Sequence, residues 1–246
     1  MRLFACGLPA GRPRIIYGKS LPARPLVDQQ SPRIVTFETR PRSRRAAALI
    51  YVVAFITGAI VMSFEMLGSR YLNPYFGSGI YTWAALISTV LLALTLGYFL
   101  GGYLADRTAS AAVLALTVIV GSVYLLALPS FAVPVLEFVL AAIDDVRAGS
   151  LVSALAIMVF PVTFLGMYSP FAIRLLLRSA QNSGRVSGAV YGISTVGSIA
   201  GTLGTTFVLI PTIGSRAITI ALGALGAVSG LALLGLSRLE GPSHRN

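Results

Sequence analysis

The chain is 246 residues long, 56% hydrophobic and only 11% charged, with a formal net charge of +11. Soluble domains carry about 25% charged residues, so this composition argues against a water-soluble fold, and the length suits one membrane domain with no second globular one. The positive charge does not imply nucleic-acid binding, because ten of the nineteen basic residues precede position 46 and most others fall at the ends of apolar runs, the distribution of a membrane protein obeying the positive-inside rule.

Residues 1–45 are rich in Arg and Pro and show no sustained period. They read as a disordered cytoplasmic tail in which Arg40, Arg42, Arg44 and Arg45 hold the N-terminus inside. Two other readings stay open: a later start of translation, or a polybasic segment resting on anionic lipid at about 1 kcal/mol per basic residue. The single cysteine, Cys6, excludes an internal disulfide framework and a cysteine-based metal cluster. Leu3-Phe4-Ala5-Cys6 is only faintly like a lipoprotein processing site, because no apolar run precedes it.

Apolar runs follow at 46–67, 83–104, 111–128, 151–177, 187–210 and 217–236, the fifth weakened by Gly, Ser and Thr. Each approaches the roughly 20 residues a helix needs to cross about 30 Å of hydrocarbon. In lipid the backbone must pair internally, so continuous apolar runs are helices, whereas barrel strands alternate. The expected fold class is an all-α integral membrane protein with six transmembrane helices, a membrane domain at 46–238 and a short cytoplasmic tail at 239–246. The run 131–143, bracketed by Pro129, Pro134, Asp144 and Asp145, is too short to span comfortably and reads as a helix at the outer interface. A seventh span there would invert the charge balance of the second half. With six spans and the N-terminus inside, Arg107, Arg174, Arg178, Arg185, Arg238 and Arg245 join the tail in the cytoplasm. Arg70, Arg147 and Arg216 remain outside. This places both termini on the cytoplasmic side of a bacterial-type inner membrane.

Ile87-Ser88-Thr89-Val90 recurs as Ile193-Ser194-Thr195-Val196, and Thr95-Leu96-Gly97 as Thr202-Leu203-Gly204. These echoes fall in the middle helix of each three-helix half, which suggests a 3+3 inverted repeat, a common transporter architecture. Coincidence among residues common in membrane helices is the alternative. Gly97 and Gly101, Gly197 and Gly201, and Gly226 and Gly230 are each four apart, a spacing that lets helices pack closely. Pro161 and Pro170 flank Gly166 and should kink or break the fourth span. Glu65 is the only acid inside the six spanning runs, so it needs a partner or a function. A Glu65–Arg70 pair is the structural reading, and a cation- or proton-carrying carboxylate the functional one. Asp106 and Arg107 close the second span, either as an exposed loop with a topology-setting arginine or as a cytoplasmic latch in which Asp106 pairs with Arg174 or Arg178. The aromatic stretch 71–83 reads as an outer loop whose rings form an interfacial belt anchoring the first two spans, with an amine cage as the lesser alternative.

The segments Phe64-Glu65-Met66-Leu67-Gly68-Ser69-Arg70-Tyr71-Leu72-Asn73-Pro74-Tyr75-Phe76-Gly77-Ser78 and Leu96-Gly97-Tyr98-Phe99-Leu100-Gly101-Gly102-Tyr103-Leu104-Ala105-Asp106-Arg107 resemble the membrane region of spermidine-synthase-like proteins, described as fused major-facilitator/spermidine-synthase proteins. The stretches from Gly166 to Leu175 and from Gly184 to Thr195 are similar to that family too. The resemblance implies a transporter-like membrane protein for a small solute, cationic or polyamine-related. Family members often continue into a soluble aminopropyltransferase-like domain. This sequence carries neither a strand-linked Gly-rich nucleotide motif nor an Asp-rich polyamine pocket, so no enzymatic activity, cofactor or metal is expected. His244, the one histidine, lies in the tail. The candidate solute or ion site comprises Glu65, Arg70, Pro161, Ser169, Tyr191 and Thr195. The expected partners are the lipid bilayer and a second copy in a homodimer. The rival reading is a non-transporting membrane anchor for a separately encoded aminopropyltransferase-like protein.

Overall fold

The structure, a computed structural model, describes residues 44–177 and 182–239. The expected basic tail up to residue 43, Arg178 and residues 240–246 lie outside the described residues. Among the described residues, six segments are helical, long and apolar enough to cross a bilayer. The first three spans are α1 (Arg44–Phe76), α2 (Ile80–Thr108) and α3 (Ala111–Ala142). The fourth combines α4 (Val146–Gly166) with α5 (Tyr168–Leu176). The fifth runs from α6 (Ser183–Gly204) through a π-helical turn (Thr205–Leu209) into α7 (Ile210–Thr212), and α8 (Ser215–Leu239) is the sixth.

Short, specific connections set the helix starts. Gly77 has φ +75°, a left-handed turn that ends α1 just before α2 begins. Ser110 Oγ accepts from the Ala112 N–H at 3.2 Å and caps α3. The Asp145 carboxylate accepts from the Arg147 and Ala148 N–H groups at 3.3 and 3.4 Å and caps α4.

Two sequence expectations are corrected. Residues 131–143 do not form a separate interfacial helix, because α3 continues through Pro129 and Pro134 to Ala142. The buried stripe continues with it: Leu125, Leu128, Ala132, Leu136 and Val139 all face the core. Tertiary burial outweighs the N–H each proline removes. The aromatic stretch is likewise mostly helical, since α1 continues through Pro74 to Phe76. Its rings serve separate partners: Tyr71 Oη hydrogen-bonds Thr219 Oγ1 at 3.0 Å and Tyr81 lies under the Arg147 guanidinium at 4.7 Å.

Glycines bring the spans together. A β-carbon on Gly197 would strike the Phe55 carbonyl, and one on Gly201 the Ala59 carbonyl, so α6 runs beside and parallel to α1. A β-carbon on Gly97 would lie 2.5 Å from the Thr163 carbonyl oxygen, and one on Gly101 2.8 Å from Met167, so α2 runs parallel to the fourth span. Gly58 abuts Ser194, and Gly166 abuts Leu94. Gly223 and Gly230 meet Leu126 and Ala115 respectively, so α3 and α8 pack antiparallel. The principal contacts are therefore first span with fifth, fourth with second, and third with sixth. Exchanging the halves maps this set onto itself. Gly58–Ser194 becomes Gly166–Leu94, and Gly197–Phe55 becomes Gly97–Thr163. Buried positions agree as well: Val90, Gly97, Gly101 and Ala105 on the second span match Val190, Gly197, Gly201 and Thr205 on the fifth. Because α2 is antiparallel to α1 and parallel to the fourth span, the two halves are inverted relative to each other.

Candidate functional site

The ends of the spans gather into two faces. Arg44, Arg45, Arg107, Arg174, Arg185 and Arg238 lie on one, with Asp106 as its acid among the described residues. Arg70, Arg147 and Arg216 lie on the other, balanced by Glu137, Asp144 and Asp145. Between these faces Glu65 is 7% exposed. Its carboxylate forms no ion pair or hydrogen bond among the described residues. The expected Glu65–Arg70 pair does not form. Five residues of helix rotate the two side chains about 140° apart, leaving Arg70 exposed while Glu65 points inward.

Other unsatisfied groups lie at the same depth. Gly68 abuts Leu86 and Met158. Stepping three residues along the antiparallel pair α1 and α2 puts Glu65 level with Thr89. Stepping one turn beyond the Gly201–Ala59 contact puts Thr205, the first residue of the π turn, level with Ser63. Thr89 Oγ1 and Thr205 Oγ1 are buried without a hydrogen-bond partner. Such groups are costly in a water-free interior, and π-helical turns often mark functional sites. A one-turn slab of the membrane domain thus holds a carboxylate and two hydroxyls with unused capacity, drawn from α1, α2 and the fifth span. Oxygen ligands of this kind accept a proton, a hard cation or an ammonium group. No cluster of three or more His, Cys, Asp or Glu side chains able to hold a metal occurs among the described residues.

The other expected site residues do not converge on Glu65. Tyr191 and Thr195 are exposed on α6, on the arginine-rich side of the Gly197 contact; Tyr191 meets Tyr98 edge-on at 6.4 Å, and Thr195 Oγ1 donates to the Tyr191 carbonyl. Ser169 is buried in α5, and Pro161 is buried within the continuous α4. The interruption falls instead at Met167, between α4 and α5. Pro170 has no N–H for the Gly166 carbonyl, and the Phe171 N–H reaches the Met167 carbonyl at a long 3.4 Å. Cross-span bonds brace this region. Thr163 Oγ1 donates to the Ala93 carbonyl at 3.2 Å, and the fully buried Tyr168 donates its hydroxyl proton to the Ile50 carbonyl. At the arginine-rich face Arg174 Nε lies 3.5 Å from Asp106 Oδ1. Arg107 turns away to stack on Tyr103 at 3.9 Å.

Thr89 appears in the sequence only as one letter of the repeated motif, and Thr205 carries no local signal at all. What distinguishes them is lack of a partner, which composition cannot display. No family model, curated protein or solved structure matches the chain.

Proposed function

We propose that this polytopic membrane protein is a transporter whose inverted halves move against each other around the slab containing Glu65, Thr89 and Thr205. The observation that carries this reading is the exchange symmetry of the packing, in which Gly58, Gly97 and Gly101 have counterparts in Gly166, Gly197 and Gly201. Inverted repeats suit alternating access. The Met167 interruption and the π turn give the two halves places to bend. The pair of exposed Asp106 and partly buried Arg174 is the latch at the arginine-rich face, which the positive-inside rule directs to the cytoplasm of a bacterial-type inner membrane. An unpaired carboxylate favours a small cationic solute or a coupling proton, and the resemblance to spermidine-synthase-like membrane regions supports a polyamine-related one. No catalytic role is assigned to the chain. Six spans are half of a usual facilitator, so the transporting unit in this reading is a homodimer.

The test is reconstitution in liposomes, with uptake of labelled putrescine and spermidine followed with and without a pH gradient, and internal pH followed with a dye. Wild-type flux abolished by Glu65→Gln in a folded protein supports the reading. Absence of Glu65-dependent flux of either polyamine or of protons overturns it. The arginine-rich face also suits a membrane anchor for a separately encoded aminopropyltransferase-like protein. That reading gains if a soluble partner copurifies with the full chain and is lost on deleting residues 1–45.

A further inference from the structure

Where the start of α1, the end of α5 and the start of α6 meet, a crevice of about 260 Å³ opens, lined by Ala47, Tyr51, Leu176, Asn182, Arg185 and Val186. The geometry points to a binding site for the phosphate of an anionic glycerophospholipid. Arg185 would hold the phosphate, and one acyl chain would run along the wall formed by Ala47, Leu176 and Val186. The lining comes from the terminal turns of three spans, which is the depth of lipid headgroups.

Four observations converge on this chemistry. Among the described residues Arg185 is the only charged member of the lining, is exposed, and has no acidic partner; Asp106, the acid of this face among those residues, is engaged by Arg174. A guanidinium presents forked donors that match phosphate oxygens. The Tyr51 hydroxyl is half-buried and makes no hydrogen bond among the described residues, so it supplies a further donor. The Asn182 side chain does not cap α6, leaving the positive end of a 22-residue helix facing the crevice without the usual side-chain acceptor. Arg44 and Arg45 start α1 about two turns before Tyr51 and are exposed. Basic pockets between membrane helices recognise anionic headgroups in this way. A free phosphate offers the same oxygens, but the apolar half of the lining and its depth favour the lipid. The site needs neither transport nor a particular orientation, because both leaflets carry phospholipid, so it stands or falls independently of the function proposed above.

The test uses the full chain, purified and delipidated in non-ionic detergent. It is titrated separately with dioleoyl-phosphatidylglycerol, dioleoyl-phosphatidylcholine and inorganic phosphate, and bound lipid is read by native mass spectrometry. One phosphatidylglycerol is expected per chain, bound at least about tenfold more tightly than phosphatidylcholine and not displaced by millimolar phosphate. Arg185→Ala should weaken it about tenfold, the scale of a lost charge-assisted hydrogen bond. Tyr51→Phe should weaken it less, and Arg147→Ala on the opposite face should leave it unchanged. Equal binding of the two lipids by wild type, or equal phosphatidylglycerol binding by wild type and Arg185→Ala, overturns the site. Displacement by phosphate overturns the lipid as its occupant. Should Arg185→Ala fail to fold, Arg185→Lys keeps the charge but loses the fork and is expected to bind with intermediate affinity, while the preference between lipids is read on wild type alone.

Discussion

Alanine at Gly197 should destabilise the protein, whereas alanine at Gly192, on the same helix, should not. A β-carbon at Gly197 would land on the carbonyl of Phe55 in α1, and one at Gly192 would meet nothing. The obstacle at Gly197 is backbone, so no side-chain rotation relieves it and the axes of α1 and α6 must separate. Overpacking of this kind costs about 1–3 kcal/mol. Alanine also favours the helix over glycine by about 0.8–1.0 kcal/mol, but both variants gain that term. The difference between them therefore isolates the contact, and should be about 1–3 kcal/mol. The exchange symmetry requires a similar difference between Gly97→Ala, which meets the Thr163 carbonyl, and Gly102→Ala, which meets nothing. Reversible unfolding of the dispersed monomer in mixed micelles of a mild and a denaturing detergent measures both differences. Differences below about 0.5 kcal/mol, within the usual scatter of neutral surface changes, would refute the packing. A penalty confined to one pair would refute the symmetry.

Glu65→Leu should leave stability unchanged or raise it in the same assay, because no basic group is stranded; a loss of about 3–5 kcal/mol would reveal a buried ion pair instead. A double-mutant cycle of Asp106→Ala and Arg174→Ala should give a coupling of at most about 1 kcal/mol, as for exposed pairs; the Asp106 side chain is 78% exposed. A larger coupling would mean the latch closes more tightly in solution. Tyr168→Phe should cost about 1 kcal/mol in thermal or detergent unfolding, the worth of one net hydrogen bond, since the Ile50 carbonyl loses that donor. No change would show that the hydroxyl is satisfied elsewhere.

The six spans were legible because a bilayer fixes both the length and the polarity of anything that crosses it. Their ends were not. Pro129 and Pro134 look like stops in one dimension, yet α3 continues past them because Ala132, Leu136 and Val139 still have a core to face. The acid Glu65 stood out on charge alone. The hydroxyls level with it did not, because a threonine is satisfied or stranded only by its neighbours in space. Arg70 illustrates the converse error: nearness along the chain suggested a pair that helical rotation forbids.

The repeat shows most clearly why letters and packing diverge. The sequence echo pairs Thr89 with Thr195, but the first is buried and the second exposed, so their surroundings are not equivalent. Packing instead pairs Gly97 with Gly197 on the second and fifth spans, and Thr163 with Phe55 on the fourth and first. The step is 100 residues in one case and 108 in the other, because the chain from Phe55 to Gly97 is eight residues longer than that from Thr163 to Gly197. No single offset can register both spans. Close approach of two backbones needs a small residue at each crossing and places little demand on the letters between, so the symmetry resides in glycines spaced to the helical turn. A repeat of this kind is sought span by span, by matching the positions where a β-carbon cannot fit.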